Sequence, residues 1–134
     1  MKAISIWQPY ATAIAVGTKK IETRSWKTSY TGPIAIHAAK KWTDVERFFA
    51  ANEQLSGRLP TNLPLGVVVA TANLIGCRLA EDVINQIGDI ERMYGDYTAG
   101  RYAWFLTDVI ALASPVPWRG SQRLFEIPDE LLLT

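Results

Sequence analysis

The segment over residues 5–26, SIWQPYATAIAVGTKKIETRSW, limits the fold more than any other part of the chain. An apolar lead-in ends at Trp7, and a short helix of small and apolar residues follows over residues 11–16. Gly17 can adopt the left-handed conformation that ends a helix. Four charged side chains then fall within a short span: Lys19, Lys20, Glu22 and Arg24. Because charges beside a buried helix are costly to place, we expect them to face a groove or one another.

Composition narrows the class of protein. The chain has 134 residues, 49% of them hydrophobic and 20% charged, which is typical of one compact globular domain over residues 1–134. The single cysteine, Cys77, excludes an internal disulfide and a cysteine-rich zinc site, and the single histidine, His37, argues against a histidine metal centre. We therefore predict no cofactor, and a divalent metal stays an open alternative that no cluster of ligands supports.

Charge and hydropathy indicate the location and the kind of partner. No apolar run approaches the ~18 residues of a membrane span, and the N-terminus lacks a signal peptide, so we expect a cytoplasmic protein that is a monomer or weak dimer. Residues 1–50 carry eight basic and three acidic side chains, a net +5, and the remainder carries six basic and ten acidic ones, a net −4. This split fits one basic face for an anionic ligand, unless folding mixes the two halves.

Periodicity and turn residues predict an α+β protein whose sheet curls into a small barrel, with helices at its ends. A capping box of Thr43 and Glu46 begins the clearest helix, whose apolar spacing places Val45 and Phe48 on one face. Residues 53–62 are predicted to form a loop, and two prolines, Pro115 and Pro117, to end the fifth strand. The predicted strands cover residues 3–7, 20–24, 32–38, 65–79, 101–112 and 125–127, and the predicted helices cover residues 11–16, 43–52, 81–94 and a short C-terminal turn from Pro128.

The motifs along this chain resemble those of the ASCH domain family. The combination of Trp-Gln-Pro-Tyr with Gly-x-Lys-x-x-Glu-x-Arg is the specific part, and the similarity extends over nearly the whole chain. The matching segments are residues 7–10, 17–26, 32–39, 100–104, 115–120 and 125–127. The resemblance implies a PUA-like β-barrel with a cleft beside the first helix. It also implies RNA, a nucleoside or a nucleotide as ligand, since relatives include RNA-linked proteins, coactivator components, a ribonuclease and acylcytidine hydrolases.

Two residues are predicted to be catalytic. The lysine that matches Lys19 is catalytic in the acylcytidine hydrolases, and the resemblance implies that Lys19 activates a hydroxyl or water if burial or a neighbouring cation lowers its pKa. Those enzymes place a threonine where this chain has Glu22, which we expect to act as a general base on water or a ribose 2′-hydroxyl. The adjacent Thr23 is expected on the opposite face of the strand, outside the cleft.

The remaining candidates would bind the ligand. Lys20 and Arg24 share a strand face with Glu22, either as a cleft wall or as a solvated ladder of ion pairs. Arg119, in a Pro/Gly loop, and Arg24 are candidates to hold a phosphate, although Arg119 also fits an ordinary surface arginine. The other candidates are two stacking aromatics beside basic segments, Trp26 and Trp118, and Gln8, which would either cap the first helix or hydrogen-bond a base.

These residues favour a protein that binds single-stranded RNA or a nucleotide and hydrolyses it in a cleft of Lys19, Glu22 and Arg24. Two alternatives stay open: an amidohydrolase of N4-acylcytidine type, and a non-catalytic RNA- or DNA-binding module. Steep salt dependence of nucleic-acid binding fits the hydrolase and the module alike, whereas only an enzyme releases product.

Overall fold

The fold is a mixed six-stranded sheet with helices packed around it. A computed structural model describes residues 1–132. The strands are β1 (Lys2–Ile6), β2 (Ile21–Arg24), β3 (Gly32–Ala38), β4 (Val67–Leu79), β5 (Tyr102–Pro117) and β6 (Leu124–Glu126). The helices are α1 (Tyr10–Val16), α2 (Asp44–Leu55), α3 (Ala80–Val83) and α4 (Asp89–Met93), with 3-10 turns at Ile84–Gln86 and Asp129–Leu132.

The sheet has the strand order β2-β5-β4-β3-β1-β6. Strands β1 and β3 run parallel, and the other neighbours are antiparallel. Strands β4 and β5 are long, and their pairing shifts register at three places, which bends the sheet into a half-barrel. The predicted α+β class, a small curled barrel with flanking helices, is confirmed.

The core lies on both faces of β3. Ile34 and Ile36 contact one apolar cluster, which α1 joins through Ile14, whereas Ala35 faces a second cluster with Val68. Because α1 packs on the sheet through small and apolar residues, the segment that follows it is held close to the barrel. Gly17 ends α1 at φ +89°, in the left-handed region, as the sequence predicts.

The buried face of α2 differs from the apolar face that the sequence pattern indicates. Val45 and Phe48 are 73% and 75% exposed, while Glu46 and Glu53 are buried. The predicted capping box with Thr43 holds Glu46 inward. Arg58 and a tyrosine hydroxyl satisfy the carboxylate of Glu53, so burying this acid leaves no unmet hydrogen bond. The helix extends to Leu55, into the predicted loop.

Two other predictions of secondary structure are wrong. The predicted helix over residues 81–94 is divided into α3, a 3-10 turn and α4, because Gly88 has an extended backbone and caps α4. Strand β5 continues through Pro115 to Pro117. Strand β2 pairs only with the first residues of β5, Tyr102 to Phe105, so the far half of β5 has a free edge at which a missing N–H costs no ladder bond.

Candidate functional site

The charged segment after α1 is held at its start by a hydrogen bond to α1 and at its end by pairing with β5. Gly17 turns the chain, and the backbone N–H of Lys19 donates to the carbonyl of Ala13 at 3.1 Å. Strand β2 then pairs antiparallel with β5, with Glu22 opposite Trp104 and Arg24 opposite Tyr102.

Lys19 is a buried cation beneath the site. Its side chain is 1% exposed, and its Nζ donates to the backbone carbonyl of Tyr94 at 2.6 Å. The same nitrogen lies 3.6 Å from Oε1 of Glu22 and 5.9 Å from the ring centroid of Tyr10. Burial lowers the pKa of the Lys19 ammonium, and the nearby carboxylates of Glu22 and Glu91 oppose that effect. The lysine therefore reaches Glu22 but not the solvent.

Glu22 lies between two cations. Opposite the Lys19 contact, Nε of Arg24 is 3.1 Å from Oε2 of Glu22. Nη2 of Arg24 donates to the carbonyl of Ser5 at 2.6 Å, which ties the guanidinium to β1. Within residues 1–132, the buried Nε of Arg24 has no partner with hydrogen-bond geometry. Arg24 therefore retains an N–H donor beside the Glu22 carboxylate.

Glu22 and Arg24 line a cavity of about 360 Å³, which we call the charged pocket. Its volume lies in the range of small-molecule sites. Three aromatic residues, Trp7, Tyr10 and Tyr94, form part of its wall, and Asp96 and Arg101 form another part. The complete lining is Ile6, Trp7, Tyr10, Glu22, Thr23, Arg24, Met93, Tyr94, Gly95, Asp96 and Arg101.

The wall around Arg101 is internally bonded. Arg101 Nε donates to the carbonyl of Asp96 at 3.0 Å, and its Nη2 donates to the carbonyl of Thr23 at 3.3 Å. Thr23 also lines the pocket, so the expectation that strand alternation removes it from the cleft is wrong. Its Oγ1 accepts the backbone N–H of Asp96 at 3.0 Å, which ties the Thr23 hydroxyl to the wall.

A buried acid supports the aromatic wall from behind. The Tyr94 hydroxyl donates to Oε1 of Glu53 at 2.6 Å, and Arg58 binds Glu53 with two hydrogen bonds of 2.8 and 3.0 Å. The Arg58 guanidinium lowers the pKa of Glu53, and burial raises the pKa of Tyr94. The ring of Phe49 packs against Tyr94, with centroids 5.0 Å apart. This network fixes the backbone carbonyl that holds Lys19.

The structure places Gln8 and Lys20 outside the charged pocket. Gln8 is fully buried; its Oε1 accepts the N–H of Thr12, and its Nε2 donates to Thr12 Oγ1 and to the carbonyl of Pro64. Of the two roles considered for Gln8, the contacts correspond to capping α1. The side chain of Lys20 is exposed, and its residue contributes only a backbone N–H to Glu91.

Trp26 lies in a second cavity, of about 390 Å³, which we call the tryptophan groove. Its ring packs edge to face on Trp104, with centroids 4.7 Å apart, and the guanidinium of Arg123 lies 4.7 Å from its centroid. The groove is lined by Ser5, Trp7, Arg24, Trp26, Ser121, Gln122 and Arg123.

Trp118 and Arg119 belong to a third cavity, of about 650 Å³, which we call the loop pocket. It lies between the 118–122 loop and the strands that carry Ser5 and His37. His37 is buried, which lowers its pKa, and its Nε2 lies 2.7 Å from the carbonyl of Trp118. The structure therefore brings Glu22 and Arg24 together over Lys19, but it puts Trp118 and Arg119 in a different cavity.

Sequence reasoning missed several residues of the charged pocket. Trp7 and Arg101 both lie in motifs that carry the family resemblance, and that was the available signal. Asp96 and Tyr94 had no such signal, because a loop far along the chain brings them to β2.

A half-barrel with a charged cleft beside its first helix defines the class as a PUA-like α+β fold. Residues 4–116 match the sequence model of the ASCH domain, and the chain belongs to this family, a PUA-like family associated with RNA binding.

Relatives and solved structures agree with that assignment. Activating signal cointegrator 1 from Homo sapiens is 32% identical, and its counterpart from Mus musculus is 30% identical, each over 66% of this chain. The chain spans 16% of the length of these two proteins. The crystal structure of ASCH from Zymomonas mobilis superposes with a TM-score of 0.60 at 18% identity, covering 97% of this chain and 89% of that one. A mutant of that protein gives 0.61 at 18% identity, covering 97% and 91%.

The described residues contain neither a metal-binding cluster nor a membrane-spanning helix. Across residues 1–132, no three His, Cys, Asp or Glu side chains are grouped so that they could hold a metal ion. None of the helices in the same part of the chain is long and apolar enough to cross a membrane.

Proposed function

We propose that this protein binds single-stranded RNA and hydrolyses it in the charged pocket. The observation that carries the proposal is the position of Glu22, a carboxylate on the pocket wall with Lys19 at 3.6 Å on one side and Arg24 at 3.1 Å on the other. A proton acceptor beside a guanidinium is suited to a reaction at a phosphodiester, in which a proton leaves a hydroxyl while negative charge develops on phosphate oxygens.

In the proposed reaction, Glu22 takes the proton of a ribose 2′-hydroxyl. The 2′-oxygen attacks the adjacent phosphorus, the bond between phosphorus and the 5′-oxygen breaks, and the 5′-oxygen takes a proton from water. The hydroxide left by that water takes the proton from Glu22, which restores the carboxylate. The products are a 2′,3′-cyclic phosphate and a 5′-hydroxyl end. Arg24 lines the pocket beside Glu22, and its side chain is 26% exposed, so its guanidinium binds the phosphate as the negative charge grows.

Lys19 acts through Glu22 in this scheme. It is absent from the pocket lining and 1% exposed, so it touches the carboxylate and not the RNA. This is a narrower role than direct activation of a hydroxyl, which the family resemblance implies for the matching lysine. The ammonium holds Oε1 of Glu22 in place, and Lys19 is therefore a positioning residue.

The two alternatives, an N4-acylcytidine amidohydrolase and a non-catalytic RNA- or DNA-binding module, have less support, and each predicts a different experimental result. Thr23 does line the charged pocket, which favours the N4-acylcytidine amidohydrolase more than the sequence does, but its Oγ1 is bound to the Asp96 N–H. An amidohydrolase would release a carboxylic acid from an acylated cytidine and leave RNA intact. A non-catalytic module would bind RNA and release nothing.

The test is cleavage of 5′-labelled single-stranded RNA by the wild type and by Glu22→Gln, with analysis of the product ends. We expect 2′,3′-cyclic phosphate ends from the wild type. Glu22→Gln should lose at least about tenfold in turnover, roughly 1.4 kcal/mol of barrier, while it still binds RNA. Glu130→Gln, which changes an exposed acid far along the sequence, is the matched control. Equal cleavage by wild type and Glu22→Gln, or no cleavage of any RNA, would overturn the hydrolytic proposal.

A further inference from the structure

The three cavities form a continuous series along one side of the molecule. Trp7 and Arg24 line both the charged pocket and the tryptophan groove. Ser5, Ser121 and Gln122 line both the tryptophan groove and the loop pocket. The tryptophan groove therefore connects the charged pocket to the loop pocket without a gap in the lining.

The three cavities differ in whether their basic side chains are paired with acidic ones. In the charged pocket both arginines have acidic partners, Arg24 with Glu22 and Arg101 with Asp96. The cations beyond it are Arg123 in the groove, and Arg119 and Lys40 in the loop pocket. No acidic residue lines either of these two cavities, and none of the three cations forms an ion pair within residues 1–132. A chain of unneutralised cations is suited to successive phosphates.

Aromatic side chains interleave with these cations. Trp7 is 39% exposed at the junction of the charged pocket and the groove. Trp26 carries the guanidinium of Arg123 over its ring, and Trp118 lines the loop pocket. Aromatic rings and guanidinium planes are the surfaces on which unpaired bases stack.

The wall of the loop pocket is held in place by hydrogen bonds and close packing. His37 Nε2 donates to the carbonyl of Trp118 at 2.7 Å, which leaves Nδ1 to accept the Ser5 hydroxyl at 3.0 Å. Gly120 lies so close to this pair that an added Cβ would be 2.9 Å from His37 Cε1. The sheet thus fixes the loop that carries Arg119.

We propose that the charged pocket is one end of a binding track for a single RNA strand of at least about three nucleotides. The strand continues through the tryptophan groove to the loop pocket, where Arg123 and Arg119 bind its phosphates. Each of the three cavities has a volume in the range of small-ligand sites, so each has room for at least one nucleotide. This inference rests on the proposed function, and it makes the substrate an oligonucleotide and not a free nucleoside.

The test measures affinity against strand length. The probes are uridine monophosphate and 2′-O-methyl oligouridylates of two to eight nucleotides, which lack the 2′-hydroxyl needed for cleavage. The variants are Arg119→Ala/Arg123→Ala and, as a control of equal net charge, Arg47→Ala/Arg78→Ala, whose exposed arginines line none of the three cavities. Calorimetric titrations at several salt concentrations from about 50 mM give the affinity and its salt dependence.

We expect wild-type affinity to rise with length to at least about three nucleotides. Arg119→Ala/Arg123→Ala should weaken binding of the six-nucleotide strand at least about tenfold. The slope of its log affinity against log salt concentration should fall in magnitude by about 1.4, because two phosphate contacts are lost. The affinity for uridine monophosphate should not change. A length-independent affinity, or an equal loss in the control, would overturn the track while leaving hydrolysis in the charged pocket intact. Absence of binding at every length would overturn the track and the proposed function together.

Discussion

The ammonium of Lys19 lies 3.6 Å from Oε1 of Glu22, although only 1% of the lysine side chain is exposed. The next residue, Lys20, is exposed and does not line the charged pocket. Two consecutive lysines therefore have opposite environments. The chain itself supplies a matched pair for separating a buried positioning role from a general effect of positive charge.

The first prediction compares Lys19→Met with Lys20→Met. We expect Lys19→Met to lower RNA cleavage at least about tenfold, because Glu22 loses one of its two flanking cations, while Lys20→Met changes the rate by less than about twofold. Single-turnover rates at saturating RNA check this, with unfolding midpoints to show that both variants fold. Lys19→Arg retains the charge, and partial recovery by it would mark a positioning effect. Equal rates for the two methionine variants would contradict the assignment.

The second prediction concerns pH and stability. Burial lowers the pKa of Lys19 below its ordinary value of 10.5, against the pull of Glu22 and Glu91 and with a smaller contribution from Arg24. Between that lowered value and 10.5, the unfolded chain binds more protons at residue 19 than the folded one. The free energy of unfolding contributed by Lys19 therefore rises with pH across this window.

The measurement is denaturant unfolding of wild type and Lys19→Met at a series of pH values below 10. The stability of the wild type relative to the variant should increase as pH rises. The range stops at 10 because Tyr94 and Tyr97 have raised pKa values, and above that pH their titration in the unfolded chain lowers the stability of the wild type and the variant alike. A difference that is constant with pH, or that falls, would show that the pKa of Lys19 is not lowered.

The third prediction separates two neighbouring phenylalanines of α2. Phe48 is 75% exposed, whereas Phe49 packs on the rings of Tyr10 and Tyr94 with centroids 5.7 and 5.0 Å away. We expect Phe49→Ala to cost about 2–3 kcal/mol of unfolding free energy, just below the range for a fully buried phenylalanine, and Phe48→Ala less than about 0.5 kcal/mol. Denaturant unfolding of the two variants checks this. A larger loss from Phe48→Ala would mean that the outward face of α2 is covered.

The same helix shows why part of the fold could not be predicted from the sequence. Apolar spacing located α2, but the pattern could not identify the buried face, because Glu53 is satisfied by Arg58 from the loop after the helix and by Tyr94 from a distant part of the chain. In the same way, β5 passes through Pro117 because of a free sheet edge that depends on the short length of β2. Short-range signals predicted the elements, and long-range pairing determined their faces and ends.

For the site, the local part of the prediction is the part that the structure brings together. Glu22 and Arg24 are two residues apart on one strand, so alternation alone predicts that their side chains share a face. Arg119 was predicted, like Arg24, to hold a phosphate of the ligand, but the structure places it in the loop pocket and not in the charged pocket. No spacing along the sequence gives the distance between β2 and a loop that follows β5.

The last prediction concerns the acid behind the pocket wall. Arg58 lowers the pKa of Glu53 below its ordinary value of 4.5, so the stability that this carboxylate contributes is present above pH 4.5 and is lost as pH falls through the lowered pKa. Glu53→Gln should therefore be less stable than the wild type near pH 7, and the difference should shrink in acid. The exposed control Glu130→Gln should show no such pH-dependent difference.

Tyr94→Phe tests the same network from its other end, since it removes only the hydroxyl that donates to Glu53. We expect a loss of about 1.5–3 kcal/mol of unfolding free energy near pH 7, as for a hydrogen bond to a charged group. Because the backbone carbonyl of Tyr94 holds Nζ of Lys19 at 2.6 Å, loosening this wall should also slow RNA cleavage. Urea unfolding and cleavage rates measured on the same preparation check both effects. Unchanged cleavage in a destabilised Tyr94→Phe would show that the Glu53 network supports the fold without positioning Lys19.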